Sequence, residues 1–390
     1  MPEQPFVRLR MISLRSMEYI FLIAAFNAFF FAMLILQKKK AVYDKILIAW
    51  LAYLGLYVGI YALASDALFT GYHLLSAGFI SLLLLHGPFL YLYVCALTND
   101  KFKVSVRHLI HFAPFILFNL YLLTASLFPD VSESIRLDHS ENVHQTAFIF
   151  NFFLIITVLS GPFYYILTII LFKKLDINIF NNFSTSEHVN LDWLRKLVYS
   201  FGSLWTILMI VTGIHHVFNL FTWSFCTDGL FLSLSFFIIM IGYFGLKQKE
   251  IFVHHTDERV EYFIEPKTKY ASVLLRNSEM EEYVSRLQQF METEKPFLNA
   301  SLTLPDLAVS LKMPSHHLSR VLNEQLKLNF FDFVNQYRVE EVKTKMNDPN
   351  FAHLSILGIA FESGFNTKSA FNRVFKKITG MTPTEFKKQS

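Results

Sequence analysis

The stretch FNTKSAFNRVFKKITGMTP, Phe365–Pro383, reads as one short helix with a marked start, a marked end and two unlike faces. Thr367 has the side chain of an N-cap, and Gly380 can take the left-handed conformation that closes a helix. Between them Phe371, Val374, Phe375 and Ile378 recur at helical spacing and predict a buried side. Lys368, Ser369, Asn372, Arg373, Lys376 and Lys377 are left on the other side. That side carries donors suited to phosphate oxygens and base edges. Beyond it, Thr382, Pro383 and Glu385 predict a further helix start, with a cap, a first-turn proline and a third-position carboxylate.

The pattern occurs a second time upstream. In LTLPDLAVSLKMPSHHLSRVLNEQL, which begins at Leu302, Thr303 and Asp306 have capping-box spacing, and Leu304, Leu307, Ala308 and Leu311 form an apolar stripe. After a break at Lys312–Pro314, Leu318, Val321, Leu322 and Leu326 predict the buried side of the next helix, opposite His316, Arg320, Asn323 and Lys327. A helix from Phe330 to Met346 joins this unit to the next, where Ile356, Ile359 and Ala360 mark a supporting helix ended by Gly364. Helix, short break, helix, made twice, predicts two helix-turn-helix units. In such a unit the second helix enters the major groove while the first braces it across the backbone. Two of them on a rigid connecting helix would read groove segments about one DNA turn, ~34 Å, apart.

LSRVLNE, FVNQYRVEEVK and IAFESGFNTKSAFNRVFKKITGMTPTEF together resemble the double helix-turn-helix domain of AraC-type transcription regulators, over roughly Asn299 to Lys388. The pattern GF-x-x-x-S-x-F-x-R-x-FKK-x-x-G-x-TP-x-x-[FY] is long and specific. The resemblance implies base readers at His316, Ser319 and Arg320 and at Lys368, Ser369, Asn372 and Arg373. One departure is MPSHHLSR, where Pro314 precedes Ser315 although the family commonly has Ser before Pro; this leaves the first cap open. Arg320 and Arg373 could each pair bidentately with guanine, which discriminates by ~1 to 3 kcal/mol, or hold phosphates. Lys376 and Lys377 suit phosphate or solvent. His316 and His317 are neighbours in sequence but point to different faces, a poor arrangement for a metal, and neither metal nor cofactor is expected.

The rest of the chain has another character. Of its 390 residues 53% are apolar, 16% aromatic and only 17% charged, too apolar for an average soluble protein. Residues 299–390 carry 12 basic and 8 acidic side chains, and the other 298 residues carry 23 of each, so the net charge of +4 belongs to the C-terminal quarter. A basic module behind a neutral, apolar body predicts one part for lipid and one for a polyanion.

Seven apolar runs have the length that a ~30 Å hydrocarbon core demands of a helix. They lie near Met17–Leu36, Ile46–Ala64, Tyr72–Leu97, His108–Phe128, Thr146–Phe172, Leu194–Phe221 and Thr227–Leu246. The first is too long, and lacks the small-residue exit, for a cleaved signal peptide. Alternate loops hold Lys38, Lys39, Lys40 and Lys45, then Lys101, Lys103 and Arg107, then Lys173, Lys174, Arg195 and Lys196, whereas the intervening loops hold only Arg136. Basic loops stay on the cytoplasmic side, so the N-terminus is expected outside and everything after Lys247 inside. Arg8, Arg10 and Arg15 dissent, unless translation starts at Met11 or Met17. Cys95 and Cys226 fall toward opposite ends of their spans, too far apart for a disulfide.

Within the spans, HGPFLYLY (His86–Tyr93) and SGPFYYIL (Ser160–Leu167) place Gly-Pro-Phe at a similar depth of two parallel helices. Pro88 and Pro162 should kink both. These kinks could form a hinge and line a ligand pocket, or serve packing alone. His86, His215 and His216, with Asn27, Asn119 and Asn151, could bind a polar ligand group or a metal, or could hydrogen-bond helix to helix. After Lys247 comes a mixed-charge linker, then an amphipathic helix, Glu279–Glu294, which could pack on the C-terminal core or dimerise.

The expectation is therefore an all-α chain, a seven-helix transmembrane bundle followed by a cytoplasmic double helix-turn-helix domain. Its parts are a sensor domain over 1–246, a linker and amphipathic helix over 247–298, and a DNA-binding domain over 299–390. Such a chain would be a one-component regulator in the bacterial cytoplasmic membrane. Its expected partners are promoter DNA, the lipid bilayer, an unidentified small ligand or membrane signal, a second copy as homodimer, and RNA polymerase. The rival expectations are a transporter and an intramembrane enzyme with a regulatory tail. No HExxH, CxxC, glycine-rich phosphate loop or in-span carboxylate pair supports catalysis.

Overall fold

The structure is a computed structural model that describes residues 5–37, 41–63, 72–99, 102–135, 148–185, 191–218, 223–247 and 277–389. These residues are helical throughout their regular segments, and among them the extended pairing consists of one isolated antiparallel bridge, Phe183 to Thr303. The chain divides into two compact units, one of Met1–Phe172 with Leu191–Glu250 and one of Lys173–Asn190 with Ile251–Ser390.

Among the described residues, seven helices, all beginning in the first unit, are long and apolar enough to cross a membrane. They are Met17–Leu36, Val42–Leu63, His73–Thr98, Val106–Ala125, Phe148–Asn182, Asp192–Val211 and Thr227–Lys247, the fifth continuing into the second unit. Proline shapes them unequally. The third passes from α-helix (His73–Ser81) through a 3-10 turn (Leu82–Leu85) back to α-helix (His86–Thr98) just before Pro88. The fourth does the same at Ile110–Phe112, before Pro114. Pro162, expected to act like Pro88, lies inside the unbroken helix Phe148–Asn182.

The tighter 3-10 turn re-pairs carbonyls that a proline ring would leave without an amide partner. At Leu82 the Tyr53 hydroxyl donates to the carbonyl at 2.7 Å. The glycines of the two Gly-Pro-Phe segments have a separate use, close helix contact. A Cβ on Gly87 would fall 2.2 Å from the Tyr164 ring, and one on Gly161 would fall 2.4 Å from Trp205 Nε1.

In the second unit, helices Leu304–Ser310 and Ser315–Arg320 make the first helix-turn-helix, and Ile356–Glu362 and Lys368–Thr379 make the second. The helix Phe330–Asn347 connects them. Two apolar cores share it. Phe330, Phe333 and Val334 pack with Leu307, Leu318, Val321 and Leu322, while Phe331, Val339 and Val342 pack with Ile359, Phe371, Val374 and Phe375. The amphipathic helix Asn277–Thr293 closes the first core with Met280, Leu287 and Met291. Each fully buried Leu, Phe or Met side chain contributes about 1.5–3 kcal/mol, so the connecting helix is held along both sides.

The face of this helix between the two cores carries Asn335 and Arg338, 2% and 0% exposed. Arg338 donates from Nε to the Phe297 carbonyl (2.8 Å) and from Nη2 to the Asn299 carbonyl (2.8 Å). Its Nη1 reaches the Ser184 carbonyl (3.0 Å) and Asn335 Oδ1 (3.3 Å), and Nη2 reaches Ser184 Oγ (3.0 Å). Burial lowers the guanidinium pKa to about 9, which leaves it charged at neutral pH.

Gly364 closes on this group, with φ 91° and a Cβ position 2.2 Å from the Phe297 carbonyl oxygen and 2.9 Å from Arg338 Nε. Gly364→Ala therefore combines left-handed strain with a backbone clash. We expect it to destabilise the second unit by about 3 kcal/mol or more, read as faster hydrogen exchange over residues 356–379 of the full chain. Lys312 ends the first supporting helix at φ 53°, in the place Gly364 holds in the second. Lys312→Gly should leave stability unchanged or raise it by up to ~1 kcal/mol in the same measurement.

Candidate nucleic-acid interface

Ser315–Arg320 and Lys368–Thr379, the second helices of the two units and the ones expected to read DNA, share the positions of their buried side. Leu318, Val321 and Leu322 bury one side of the first, and Phe371, Val374 and Phe375 bury one side of the second. These are the fourth, seventh and eighth residues counted from Ser315 and from Lys368. Arg320 and Arg373 are both the sixth, so each arginine stands at the same place on its own helix.

Their starts and ends differ. The second reading helix has its cap, Thr367 Oγ1 accepting from the Ala370 amide at 3.2 Å, and closes at Gly380 with φ 78°. The first begins after Pro314, which offers no side-chain cap, and widens into a π turn over Val321–Gln325. The order of Pro314 and Ser315 thus costs the first helix its cap. Its supporting helix keeps one: Thr303 and Asp306 form a capping box, with the Thr303 amide donating to Asp306 Oδ2 at 3.1 Å.

Each residue expected to read DNA can be placed. His316 and Asn323 are exposed, and Ser319 and Arg320 are half-buried. Arg320 Nε lies 2.8 Å from Glu324 Oε2 one turn on, and Asn323 Nδ2 donates to the Ser319 carbonyl at 2.8 Å. Lys368, Ser369, Asn372, Arg373, Lys376 and Lys377 are all exposed along the second helix. Lys377 Nζ pairs with Asp332 Oδ1 of the connecting helix at 2.6 Å. Exposed ion pairs of this kind stabilise by only about 0–1 kcal/mol. A phosphate or guanine could take either side chain from its carboxylate at small cost.

Ile378, expected on the buried side, is 37% exposed. It sits in the last turn before Gly380, past the reach of the core.

In the first unit, His86 is nearly buried, with its Nε2 3.1 Å from the Tyr53 hydroxyl and ring centroids of Tyr53, Tyr57 and Trp205 within 5.5 Å. Asn119 donates to Ser81 Oγ at 2.9 Å, a helix-to-helix bond. The side chains of His215 and His216 lie outside the described residues. Among the described residues no three His, Cys, Asp or Glu side chains gather as a metal-ligand set.

Sequence reading missed Asn335, Arg338 and Ser184. A signal for the first two was present. Phe331, Asn335, Arg338 and Val342 are spaced by four, three and four residues, which puts two polar side chains on an apolar stripe. Ser184 carried none.

A family model described as a helix-turn-helix domain matches residues 307–389. The melibiose operon regulatory protein of Escherichia coli (strain K12) is 27% identical over 108 residues, 28% of this chain and 34% of that protein. The Msm operon regulatory protein of Streptococcus mutans is 25% identical over 113 residues, 29% of this chain and 38% of that protein. An uncharacterized HTH-type transcriptional regulator of Staphylococcus aureus (strain COL) is 26% identical over 122 residues, 31% of this chain and 15% of that protein. The matched part thus spans well under half the length of these relatives. No solved structure matches the chain at a significant level. With its two uncapped-and-capped reading helices carried on one connecting helix, the C-terminal part of this chain is an AraC-type helix-turn-helix domain.

Proposed function

We propose that this chain is a membrane-embedded, one-component transcription regulator of bacteria. In this reading residues 1–246 form the sensor in the cytoplasmic membrane, 247–298 a juxtamembrane linker and amphipathic helix, and 299–390 the part that binds promoter DNA. The observation that carries it is the matched placement of Arg320 and Arg373 on two reading helices fixed to one connecting helix. A protein that needed only a basic surface would not need equal registers.

Base readers are His316, Ser319 and Arg320 in the first helix and Lys368, Ser369, Asn372 and Arg373 in the second, and Asn323 lies on the same DNA-facing side. Lys376 and Lys377 hold phosphates. The N-terminus lies outside and the helix-turn-helix domain in the cytoplasm, as the basic loops require. The membrane part binds a small ligand or a membrane signal. His86, ringed by Tyr53, Tyr57 and Trp205 and next to the 3-10 turn before Pro88, is the best-supported centre for it. His215 and His216 belong to the same proposed pocket. The chain carries out no catalysis, needs no cofactor, and acts as a homodimer that engages RNA polymerase at its promoters.

On promoter fragments, purified full-length Arg373→Ala should bind about 5- to 150-fold more weakly than wild type and lose preference at one base position. Lys376→Ala should weaken binding evenly across sequences and lower the salt slope by about 1. Equal affinity and specificity for Arg373→Ala would remove this arginine from the reading face. A reporter pair fused after Ser390 should be active as the cytoplasmic enzyme and silent as the exported one, and the opposite pattern would reverse the topology.

A further inference from the structure

The second unit is not built from the C-terminal part alone. It includes Lys173–Asn190, the end of the helix Phe148–Asn182 and the residues after it. The Phe180 ring meets Phe331 of the connecting helix edge-on, with centroids 5.2 Å apart. Phe183 makes the antiparallel bridge to Thr303. Ser184, 1% exposed, donates from its amide (3.2 Å) and its hydroxyl (2.7 Å) to the Leu302 carbonyl. Its own carbonyl accepts from Asn335 Nδ2 (3.1 Å) and Arg338 Nη1 (3.0 Å), and its hydroxyl accepts from Arg338 Nη2 (3.0 Å).

This short stretch therefore ties together two things that must keep their distance for DNA to be read: the entry to the first helix-turn-helix at Leu302–Thr303, and the connecting helix at Asn335 and Arg338. The tie is mostly polar. Its hydrogen bonds can pass to water when the stretch withdraws, whereas the two apolar cores cannot open without exposing hydrocarbon. It is thus the separable part of the unit. It is also the part whose sequence runs directly on from the fifth apolar helix.

We infer that Phe180–Thr185 is a latch on the DNA-reading unit: seated on Arg338 and Asn335 it holds the two reading helices in the arrangement that binds DNA, and its release lowers DNA affinity. The inference rests on the DNA-binding reading above. It gives the membrane part a route to the reading helices through the end of the fifth helix, independent of the chain between Lys247 and Asn277.

The test uses the full chain with Cys95→Ser and Cys226→Ser. In this background Phe183→Cys with Thr303→Cys places thiols on bridge partners, whose α-carbon spacing suits a disulfide. Oxidation in isolated membranes should give an intramolecular bond, identified by mass spectrometry of the linked peptides. The oxidised protein should bind a DNA fragment recovered with the wild-type chain at least as tightly as its own reduced form.

The undocked variant Phe180→Ala with Ser184→Pro should bind about tenfold more weakly. It should exchange faster over residues 297–303 and 330–342 while 356–379 stays protected. Ser184→Ala, which deletes only the hydroxyl contacts, should show a smaller loss in the same direction and serves if the double variant unfolds. A missing disulfide, lost binding on oxidation, or wild-type affinity in both undocked and Ser184→Ala proteins overturns the latch. Wild-type protein that captures no DNA overturns the DNA-binding reading with it, a result distinct from normal wild-type binding that undocking leaves unchanged.

Discussion

A buried arginine with no carboxylate partner among the described residues organises the second unit. The five bonds of Arg338 all go to uncharged oxygens, three of them backbone carbonyls, drawn from residues 184, 297, 299 and 335. Taking a guanidinium out of water costs several kcal/mol, and only a full set of well-placed acceptors offsets that. The acceptors come from chain segments far apart in sequence, so the protein satisfies the charge by itself only when all of them are in place, and water must replace those of Ser184 when that stretch withdraws. The group specifies an arrangement more than it adds stability. Apolar packing alone would accept small slides of the connecting helix; a fork of donors with fixed directions does not.

Around that point the two helix-turn-helix units are unequal. The second is consistent at every local step, with a threonine cap, a glycine at each left-handed position and a compact apolar core. The first has Pro314 where a cap would sit, Lys312 at φ 53° and a π turn at Val321–Gln325. Its larger core, which recruits Met280, Leu287 and Met291, makes up for weak local choices by tertiary contact. The half that depends on distant contacts is the half that those contacts can adjust. Phe183 and Ser184 meet the chain at Leu302 and Thr303, at the start of this half.

What was legible in the sequence was what is local. Apolar runs long enough to span a bilayer became seven helices near the expected places, and the caps at Thr303, Thr367 and Thr382 formed because cap and partner are three residues apart. The exposed and half-buried positions of the side chains proposed to read DNA followed from helical period. Effects of neighbours in space were not legible. Lys377 looks free in the sequence but has Asp332 of the connecting helix beside it, whereas the Arg320–Glu324 pair, four residues apart, lay within reach of a sequence reading. Pro88 and Pro162 share a motif, yet a 3-10 turn precedes only the first, a difference that nothing in the motif itself announces. The helix that carries Phe172 on to Asn182 lacked the apolar signal used to mark spans, and Ser184 lies 154 residues from the arginine that binds it.

The central claim is that two reading helices, fixed at one spacing by a connecting helix, bind promoter DNA as a pair while the chain remains whole. Genome-wide occupancy of the full-length protein, crosslinked in intact cells, tests this most directly. Discrete sites should share a two-part motif, its halves centred about 10 base pairs apart, and all should be lost in an Arg320→Ala, Arg373→Ala double variant. Occupancy with a single short motif, with halves at variable spacing, or unchanged in the double variant would contradict it.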